Sequence, residues 1–201
     1  MKRGKKQQII KKEKELYSKE EHEWRAFVII SKNILSSNER RAFIFKIVGS
    51  RGCKIRIALE QNEIMIRWSK AKGLLEKKLI FEDFVQIIKK VYFKKDKRNT
   101  RSIKTAQEMW CFLREIEVGS YVVVPTKQRF YIARIDSEPF FDEKYVTVNA
   151  AYRRRVEWLG YKIPIPYTRA SKALREKIAI SKNCYEISEL ITDVVYSMRA
   201  I

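Results

Sequence analysis

One tryptophan beside a basic loop is the feature of this sequence that points most directly to chemistry. Trp68 ends a run with strand character, and residues 69–73 follow it as a polar loop that carries Lys70 and Lys72. An aromatic ring at the end of a strand, next to small polar groups, can stack on a nucleobase while its neighbours contact the edge of that base. The spacing therefore predicts a base pocket in which Trp68 and Ser69 take part.

Three consecutive arginines form a second candidate for contact with nucleic acid. On a strand, side-chain alternation would place Arg153 and Arg155 on one face and Arg154 on the other. The planar guanidinium group matches the oxygens of a phosphate, so Arg153 and Arg155 are predicted to clamp a phosphate backbone. The alternative is a solvated face of a sheet that binds nothing. The other cations predicted to contact phosphate are Lys32, Lys70, Lys72, Arg98, Arg101, Lys127 and Arg129.

The composition of the chain indicates a polyanionic partner, and its apolar pattern argues against a transmembrane helix and a signal peptide. The 201 residues include 44 Lys and Arg against 24 Asp and Glu, which gives a net charge of +20. Charge of this size does not help a short chain to fold, and it indicates a polyanionic partner. The sequence has no run of 18 apolar residues, and its basic N-terminus lacks the apolar segment of a signal peptide. We therefore expect a cytoplasmic protein with no membrane partner.

The few cysteines and the single histidine argue against metal chemistry and against a histidine-based triad. Cys53, Cys111 and Cys184 are far apart, odd in number and without metal-ligand spacing. They are predicted to be buried thiols in a reducing compartment. The one histidine, His22, lies among glutamates on a charged segment, which is a poor position for a catalytic base. We expect neither a metal nor a cofactor.

A metal-dependent nuclease is the enzymatic alternative. Such an enzyme needs an acidic residue and then an acid-x-Lys motif on an adjacent strand to bind magnesium and position water. Glu76 and Lys78 fit the motif, with Glu60 or Glu63 upstream. Glu76, however, stands where a helix is predicted to begin, and a lysine-rich chain produces such triplets by chance. The sequence has no phosphate-binding glycine loop and no nucleophile elbow.

The apolar pattern predicts the elements that must position these residues. Residues 1–23 form a basic charged leader, and residues 24–201 form the folded domain. Short runs of branched and aromatic residues predict strands, and apolar residues three to four positions apart predict helices. Strands are predicted at residues 25–30, 42–48, 64–68, 121–125, 130–135, 145–148 and 154–158, and helices at residues 55–61, 74–93, 102–115, 170–179 and 185–198. This order favours an α+β fold with a small curved or closed sheet.

The order of these motifs resembles that of the PUA-like superfamily, which includes EVE and YTH domains. Residues 26–33 resemble the first strand and polar loop of YTH-type readers, and residues 67–69 resemble their Trp-Ser step. Residues 118–135 look like the hairpin of EVE domains, and residues 155–165 like their closing strand and Ile-Pro step. Residues 80–125 are similar to the N-terminal specificity module of Mrr-type and modified-cytosine restriction systems. The resemblance covers about residues 24–190.

This resemblance implies a PUA-like, small curved β-barrel with flanking helices and a pocket for a flipped base. Trp68 would be a wall of the cage, Ser69 a polar contact, and Asn33 would lie in the loop that reads the base edge. The second wall would come from Phe140, Phe141 or Tyr145, because no tryptophan follows the hairpin. Ser120 stands where the related domains carry an aspartate.

The resemblance also implies a function, which is recognition without catalysis. The chain is expected to be the DNA-binding module of a modification-dependent restriction system that defends against phage. It would bind DNA with modified bases, and a separate nuclease or motor subunit or domain would cut. Two alternatives stay open: the small magnesium-dependent nuclease described above, and a YTH-like reader of methylated RNA.

Overall fold

A mixed β-sheet is the central element of the structure, a computed structural model that describes residues 41–47 and 53–198. The predicted leader, the predicted strand at residues 25–30, Lys32 and Asn33 lie outside the described residues. The strands are β1 (Ala42–Phe45), β2 (Glu63–Ile66), β3 (Tyr121–Pro125), β4 (Arg129–Ile135), β5 (Phe140–Phe141), β6 (Tyr152–Trp158), β7 (Ile165–Pro166) and β8 (Cys184–Glu186).

The strands follow the order β2-β6-β4-β3-β1-β8, with β5 paired to β6 and β7 paired to β4. The sheet is curled into a half-barrel, and helices flank it, so the predicted mixed fold with a small curved sheet is confirmed at that level. β3 and β4 form the predicted antiparallel hairpin. β1 pairs in parallel with β3 and antiparallel with β8. The first described strand therefore lies between a strand from the middle of the chain and the last strand.

Five α-helices lie around the sheet in the described part of the chain. They are α1 (Cys53–Gln61), α2 (Phe81–Tyr92), α3 (Thr100–Trp110), α4 (Lys172–Ala179) and α5 (Ile191–Ser197). A π-helical turn, Cys111–Glu115, extends α3. Four 3-10 turns complete the order, at Glu143–Tyr145, Gly160–Lys162, Tyr167–Arg169 and Ser188–Leu190. None of the helices among these described residues is long and apolar enough to cross a membrane.

One hydrophobic core joins the sheet to α2 and α3. Phe43 and Phe45 of β1 are completely buried, and both pack within this core. Phe84 and Ile88 of α2 and Met109 of α3 enter the same core, as their helical spacing predicts. Burial of each large apolar side chain stabilises the fold by about 2 kcal/mol, so this packing fixes the positions of both helices.

Three predicted elements differ from the structure. The predicted helix at residues 74–93 begins only at Phe81, because Arg114 Nη2 donates to the carbonyls of Leu74 and Glu76 and holds the preceding residues in turns. The predicted strand at residues 145–148 is a helical turn followed by a β-turn, with the Val146 N–H donating to the Glu143 carbonyl. The predicted closing helix at residues 185–198 begins at Ile191, because β8 uses the start of that range to pair with β1.

The thiol prediction is wrong for two of the three cysteines. Cys111, the first residue of the π-helical turn after α3, and Cys184, on β8, are joined in the structure as a disulfide with a Cα–Cα distance of 6.1 Å. Both residues are buried. The bond links the helical layer to the last strand of the sheet order, a contact that residues 73 positions apart in the sequence did not reveal.

Candidate nucleic-acid interface

The backbone at Trp68 adopts a conformation that is unusual for a large side chain. Trp68 follows β2 and has a φ of 83°, in the left-handed region. Asn149 Oδ1 accepts hydrogen bonds from the Trp68 N–H and the Ser69 N–H, each at 2.9 Å. Asn149 is itself left-handed, with a φ of 56°. The fold therefore holds Trp68 in a strained geometry through one distant side chain, as often occurs at binding sites.

The indole ring of Trp68 lies in an aromatic group that we name the Trp68 cluster: Trp68, Tyr92 and Phe93. The ring centroid of Trp68 is 4.9 Å from that of Tyr92 and 5.6 Å from that of Phe93, and both contacts are edge-to-face. Arg67 Cζ lies 5.1 Å from the Trp68 ring centroid. Trp68 is half-buried against the hydrophobic core. The ring is therefore a wall of a packed cluster and not an isolated, fully exposed slot.

The indole N–H of Trp68 has no hydrogen-bond partner among the described residues, although the Nε1 atom is buried. Buried indole N–H groups ordinarily find an acceptor, and an unpaired one costs about 1–3 kcal/mol. An unpaired donor in a strained residue is the kind of exception that calls for an explanation. Because Nε1 is closed to solvent, a ligand acceptor could reach it only after the residues around the ring move.

Ser69 does not fit the role predicted for it. The residue is completely buried, and its hydroxyl accepts a hydrogen bond from the Ala151 N–H at 2.9 Å. The next residues are fixed in the same way, because the Tyr152 hydroxyl donates to the Ala71 carbonyl at 2.5 Å. The hydroxyl of Ser69 thus stabilises the loop after β2 and is not exposed to a base.

The aromatic residues predicted as a second wall lie beside β6. Phe140 and Phe141 form β5, and the Phe141 ring packs edge-to-face on Tyr152 with a centroid distance of 4.7 Å. Arg153 Cζ lies 3.9 Å from the ring centroid of Tyr145, and the Tyr145 hydroxyl accepts from Gln61. All three predicted residues are half-buried. Within the described ranges, the rings that contact Trp68 are those of Tyr92 and Phe93 instead.

Arg153 is completely buried and does not fit the predicted phosphate clamp. Its Nε donates to Glu63 Oε2 at 2.5 Å, and its Nη2 donates to Gln61. Arg153 pairs with Met65 of β2 on one side and with Phe140 of β5 on the other, so its side chain lies among neighbouring strands. Strand alternation does not predict the burial of Arg153, because it does not show which face of the strand is covered by a neighbouring segment.

Arg154 is also buried, on the opposite face, while Arg155 remains exposed. Arg154 Nε donates to the Phe112 carbonyl at 2.8 Å, and its Nη1 donates to the Ser137 carbonyl at 3.1 Å. Burial lowers the pKa of Arg154 to about 10. Of the three arginines, only Arg155 is thus available to a phosphate.

A basic cavity of about 810 Å³ opens next to the Trp68 cluster. We call it the basic cavity; its lining residues are Val91, Tyr92, Phe93, Lys94, Lys95, Asp96, Lys97, Arg98, Thr100 and Arg101. All five cations are exposed, and in this described segment Lys94, Lys95, Lys97 and Arg98 form no ion pair. The cavity therefore concentrates positive charge beside aromatic rings.

The one acidic residue of the basic cavity is already engaged. Asp96 Oδ2 accepts from the Arg101 N–H at 2.9 Å and from the Ser102 N–H and hydroxyl at 3.0 Å each. These bonds cap the start of α3, and those from Ser102 hold the pKa of Asp96 below its ordinary value. The Asp96 carboxylate thus ties the loop to the start of α3. Its single negative charge is smaller than the charge of the five cations of the cavity.

The structure brings together only part of the predicted phosphate contacts. Arg98 and Arg101 line the basic cavity, and the Lys70 N–H donates to the Tyr92 hydroxyl at 2.8 Å, beside the Trp68 cluster. Lys72 is exposed but pairs with Glu143 at 2.8 Å. These predicted cations share one region of the surface.

Lys127 and Arg129 lie at the other end of the sheet. Arg129 begins β4 and pairs with Pro166, whereas the Trp68 loop follows Ile66, which pairs with the first residue of β6. β4 and β6 are antiparallel, and they pair only near the end of β6. The length of β6 and the first part of β4 therefore lie between the Trp68 loop and Arg129, which amounts to about 30 Å of strand. These two cations cannot serve the same base pocket.

Sequence reasoning missed the residues that make the cavity distinctive. Tyr92 and Phe93 fall at the end of the helix predicted at residues 74–93, and Lys94, Lys95 and Lys97 are not among the predicted phosphate contacts. The available signal was the dense run of cations that directly follows an aromatic pair. Such a run indicates a surface on which stacking and charge are combined.

The residues proposed for a nuclease do not form a metal site in the described residues. Glu76 and Lys78 lie in turns, are exposed and pair with each other at 3.3 Å. Glu63 is engaged by Arg153. The residues that the structure describes contain no group of three His, Cys, Asp or Glu side chains that could hold a metal ion.

Comparison with known proteins assigns a family but no activity. No curated protein matches the chain at a significant level. Residues 52–186 match the model of a family described as a domain of unknown function, DUF8426. The matched region includes the Trp68 cluster, the basic cavity and the strands β2 to β8. Because this match covers well over half of the sequence, the chain belongs to the DUF8426 family.

Proposed function

We propose that this chain is the DNA-recognition domain of a modification-dependent restriction system, and that it reads a modified base flipped out of the duplex. The observation that carries the proposal is the strained Trp68, with its unpaired indole N–H, beside a cavity rich in cations. The net charge of +20 supports a polyanionic partner. The curled sheet with flanking helices is compatible with a PUA-like barrel, which we include in the proposal.

Binding would proceed in two stages. Exposed cations first hold the phosphates, which gives affinity without sequence preference. A base then leaves the stack and lies against the exposed part of the Trp68 cluster. Extrusion costs a few kcal/mol, so only a base that fits the cluster is retained. A methyl group buried there contributes about 1 kcal/mol, which corresponds to a several-fold preference.

Cutting is assigned to another protein or domain. A recognition domain that finds the modified site needs a nuclease or motor partner, either as a separate subunit or in the same polypeptide. In this proposal the chain itself selects the modified site, and it requires neither a metal nor a cofactor for binding.

A binding panel tests the proposal. We would measure dissociation constants for duplexes that differ only in one modified base, with the wild-type chain and with Trp68→Ala. The wild type should prefer one modification several-fold, and Trp68→Ala should lose this preference while circular dichroism shows that it is folded. Tyr161→Ala removes a tyrosine that is 79% exposed and serves as the control, which should keep the preference.

Two results would overturn the proposal. One is equal affinity of the wild type for every duplex. The other is a preference that survives in folded Trp68→Ala. Methylated single-stranded RNA belongs in the same panel, because tighter binding to it than to any duplex would replace the DNA proposal with an RNA-reading function.

A further inference from the structure

We infer that the basic cavity binds an unpaired stretch of DNA, as a site distinct from the pocket for the modified base. The inference deepens the proposed function and rests on it, because base flipping is what would supply unpaired DNA next to Trp68. Three features of the cavity carry it: fixed geometry, unneutralised charge and aromatic surface.

The loop that forms the cavity is held in place before any ligand binds. The Asp96 N–H donates to the Phe93 carbonyl at 2.8 Å, and the Asp96 carboxylate accepts three hydrogen bonds from the start of α3. Asn99 directly precedes α3 and lies in the left-handed region, with a φ of 55°, and its carbonyl accepts from the Ile103 N–H at 2.7 Å. The backbone that carries the cations is therefore preorganised, which lowers the entropic cost of binding.

The charge of the cavity has no internal counter-charge of comparable size. Lys94, Lys95, Lys97 and Arg98 are exposed cations without ion pairs in the described structure, whereas other surface cations, such as Lys72 and Lys177, do pair with glutamates. Several cations that converge on one concave surface repel one another unless an anion lies between them. A phosphodiester backbone carries one negative charge per nucleotide and fits this need.

The aromatic surface indicates that the bases bound here are unpaired. In a duplex the bases stack on one another, and only their edges are reachable through the grooves. Tyr92 is half-buried and lines the cavity, and Arg101 Cζ lies 4.8 Å from the Phe93 ring centroid. The second face of that guanidinium and the Tyr92 ring can stack on bases only if these are free of the duplex.

The cavity also adjoins the proposed base site through a shared residue. Tyr92 contacts Trp68 ring to ring and lines the basic cavity. A strand whose base lies against Trp68 would therefore continue directly into the cavity. This geometry gives the cavity the role of holding the opened strand and slowing its return to the duplex.

The test compares two pairs of charge-removing substitutions. Lys95→Gln with Lys97→Gln removes two exposed cations from the cavity, and Lys127→Gln with Arg129→Gln removes two from the opposite end of the sheet. Fluorescence anisotropy would give dissociation constants for an unmodified oligo-dT of about 12 nucleotides and for an unmodified duplex of the same length, across a range of salt. The full chain is used throughout.

The cavity variant should bind oligo-dT about tenfold more weakly, and its salt slope should fall by about 1.4, or 0.7 for each lost contact. The control variant should leave the slope for oligo-dT within about 0.3 of wild type. Equal effects of the two variants on oligo-dT, or a loss confined to the duplex, would overturn the inference. Tighter binding of the wild type to oligo-U than to oligo-dT would overturn the assignment to DNA.

Failure here and failure of the proposed function give different results. If the wild type shows no preference for any modified base but the cavity variant loses oligo-dT binding, the cavity site stands and the base-reading proposal does not. If the preference depends on Trp68 but the cavity variant binds oligo-dT normally, the opposite conclusion follows.

Discussion

Replacement of Asn149 should show how strongly the fold holds Trp68 in its left-handed conformation. The Asn149 side chain supplies one oxygen to two backbone N–H groups, those of Trp68 and Ser69, each at 2.9 Å. Each net hydrogen bond contributes about 1 kcal/mol, so loss of the acceptor should lower the free energy of unfolding by about 2 kcal/mol. For a domain of this size, that corresponds to a decrease of about 4–8 °C in Tm.

Three substitutions at this position separate the side-chain acceptor from the backbone conformation. Asn149→Gly removes the oxygen but tolerates the φ of 56°, so it should cost about 2 kcal/mol. Asn149→Ala also forces a Cβ into the left-handed region and should cost about 1 kcal/mol more. Asn149→Asp keeps an acceptor and tolerates the conformation, so its stability should stay within about 1 kcal/mol of wild type.

Urea denaturation followed by circular dichroism gives these free energies, and tryptophan fluorescence reports on the Trp68 environment. The preference for a modified base, measured in the same preparations, should fall in the Gly and Ala variants and survive in the Asp variant. Equal stability of Gly and Asp variants would refute the reasoning, because the accepted hydrogen bonds would then contribute nothing measurable.

Two further predictions concern polar side chains of the β-sheet. Glu63→Gln leaves the buried Arg153 without its counter-charge. The free energy of unfolding from urea denaturation should fall by about 3 kcal/mol. A decrease below about 1 kcal/mol would show that Arg153 does not depend on the carboxylate. Burial raises the pKa of Tyr152 and of Tyr185 to about 12, above the unfolded value of about 10. The free energy of unfolding should therefore keep its full value below pH 10 and fall between pH 10 and 12. Tyr152→Phe should make this fall less steep, and an unchanged slope would contradict the assignment of the fall to Tyr152.

The hairpin and the helix cores were predictable because they depend on local pattern. Residues 121–135 alternate strand and turn signals, and the structure forms β3 and β4 there. The apolar spacing of residues 81–92 likewise predicted α2, whose buried residues Phe84 and Ile88 face the core. What failed was the start of that helix, because the carbonyls of Leu74 and Glu76 bind a guanidinium from 38–40 positions away.

The candidate site was harder to predict because its geometry depends on contacts between distant segments. Trp68 was identifiable from its type and the loop that follows it, but the strain at its backbone comes from Asn149, 81 positions later. The burial of Arg153 depends on β2 and β5 on either side of β6. Alternation along one strand contains no information about such neighbours. The sequence therefore indicated the ring and many of the cations but not which of them share a surface.

The position of β1 has a consequence for how the protein folds during synthesis. This four-residue strand lies between β3 and β8, and Arg41, just before it, bonds to Glu186, 145 positions later. Loop closure over such distances is slow, because its entropic cost comes before the contacts that reward it. At a translation rate of about 5–20 residues per second, β8 is synthesised about 7–28 seconds after Phe43 and Phe45. During that interval the apolar strand β1 has no partner at the edge that β8 later covers. This edge can bind chaperones or other nascent chains.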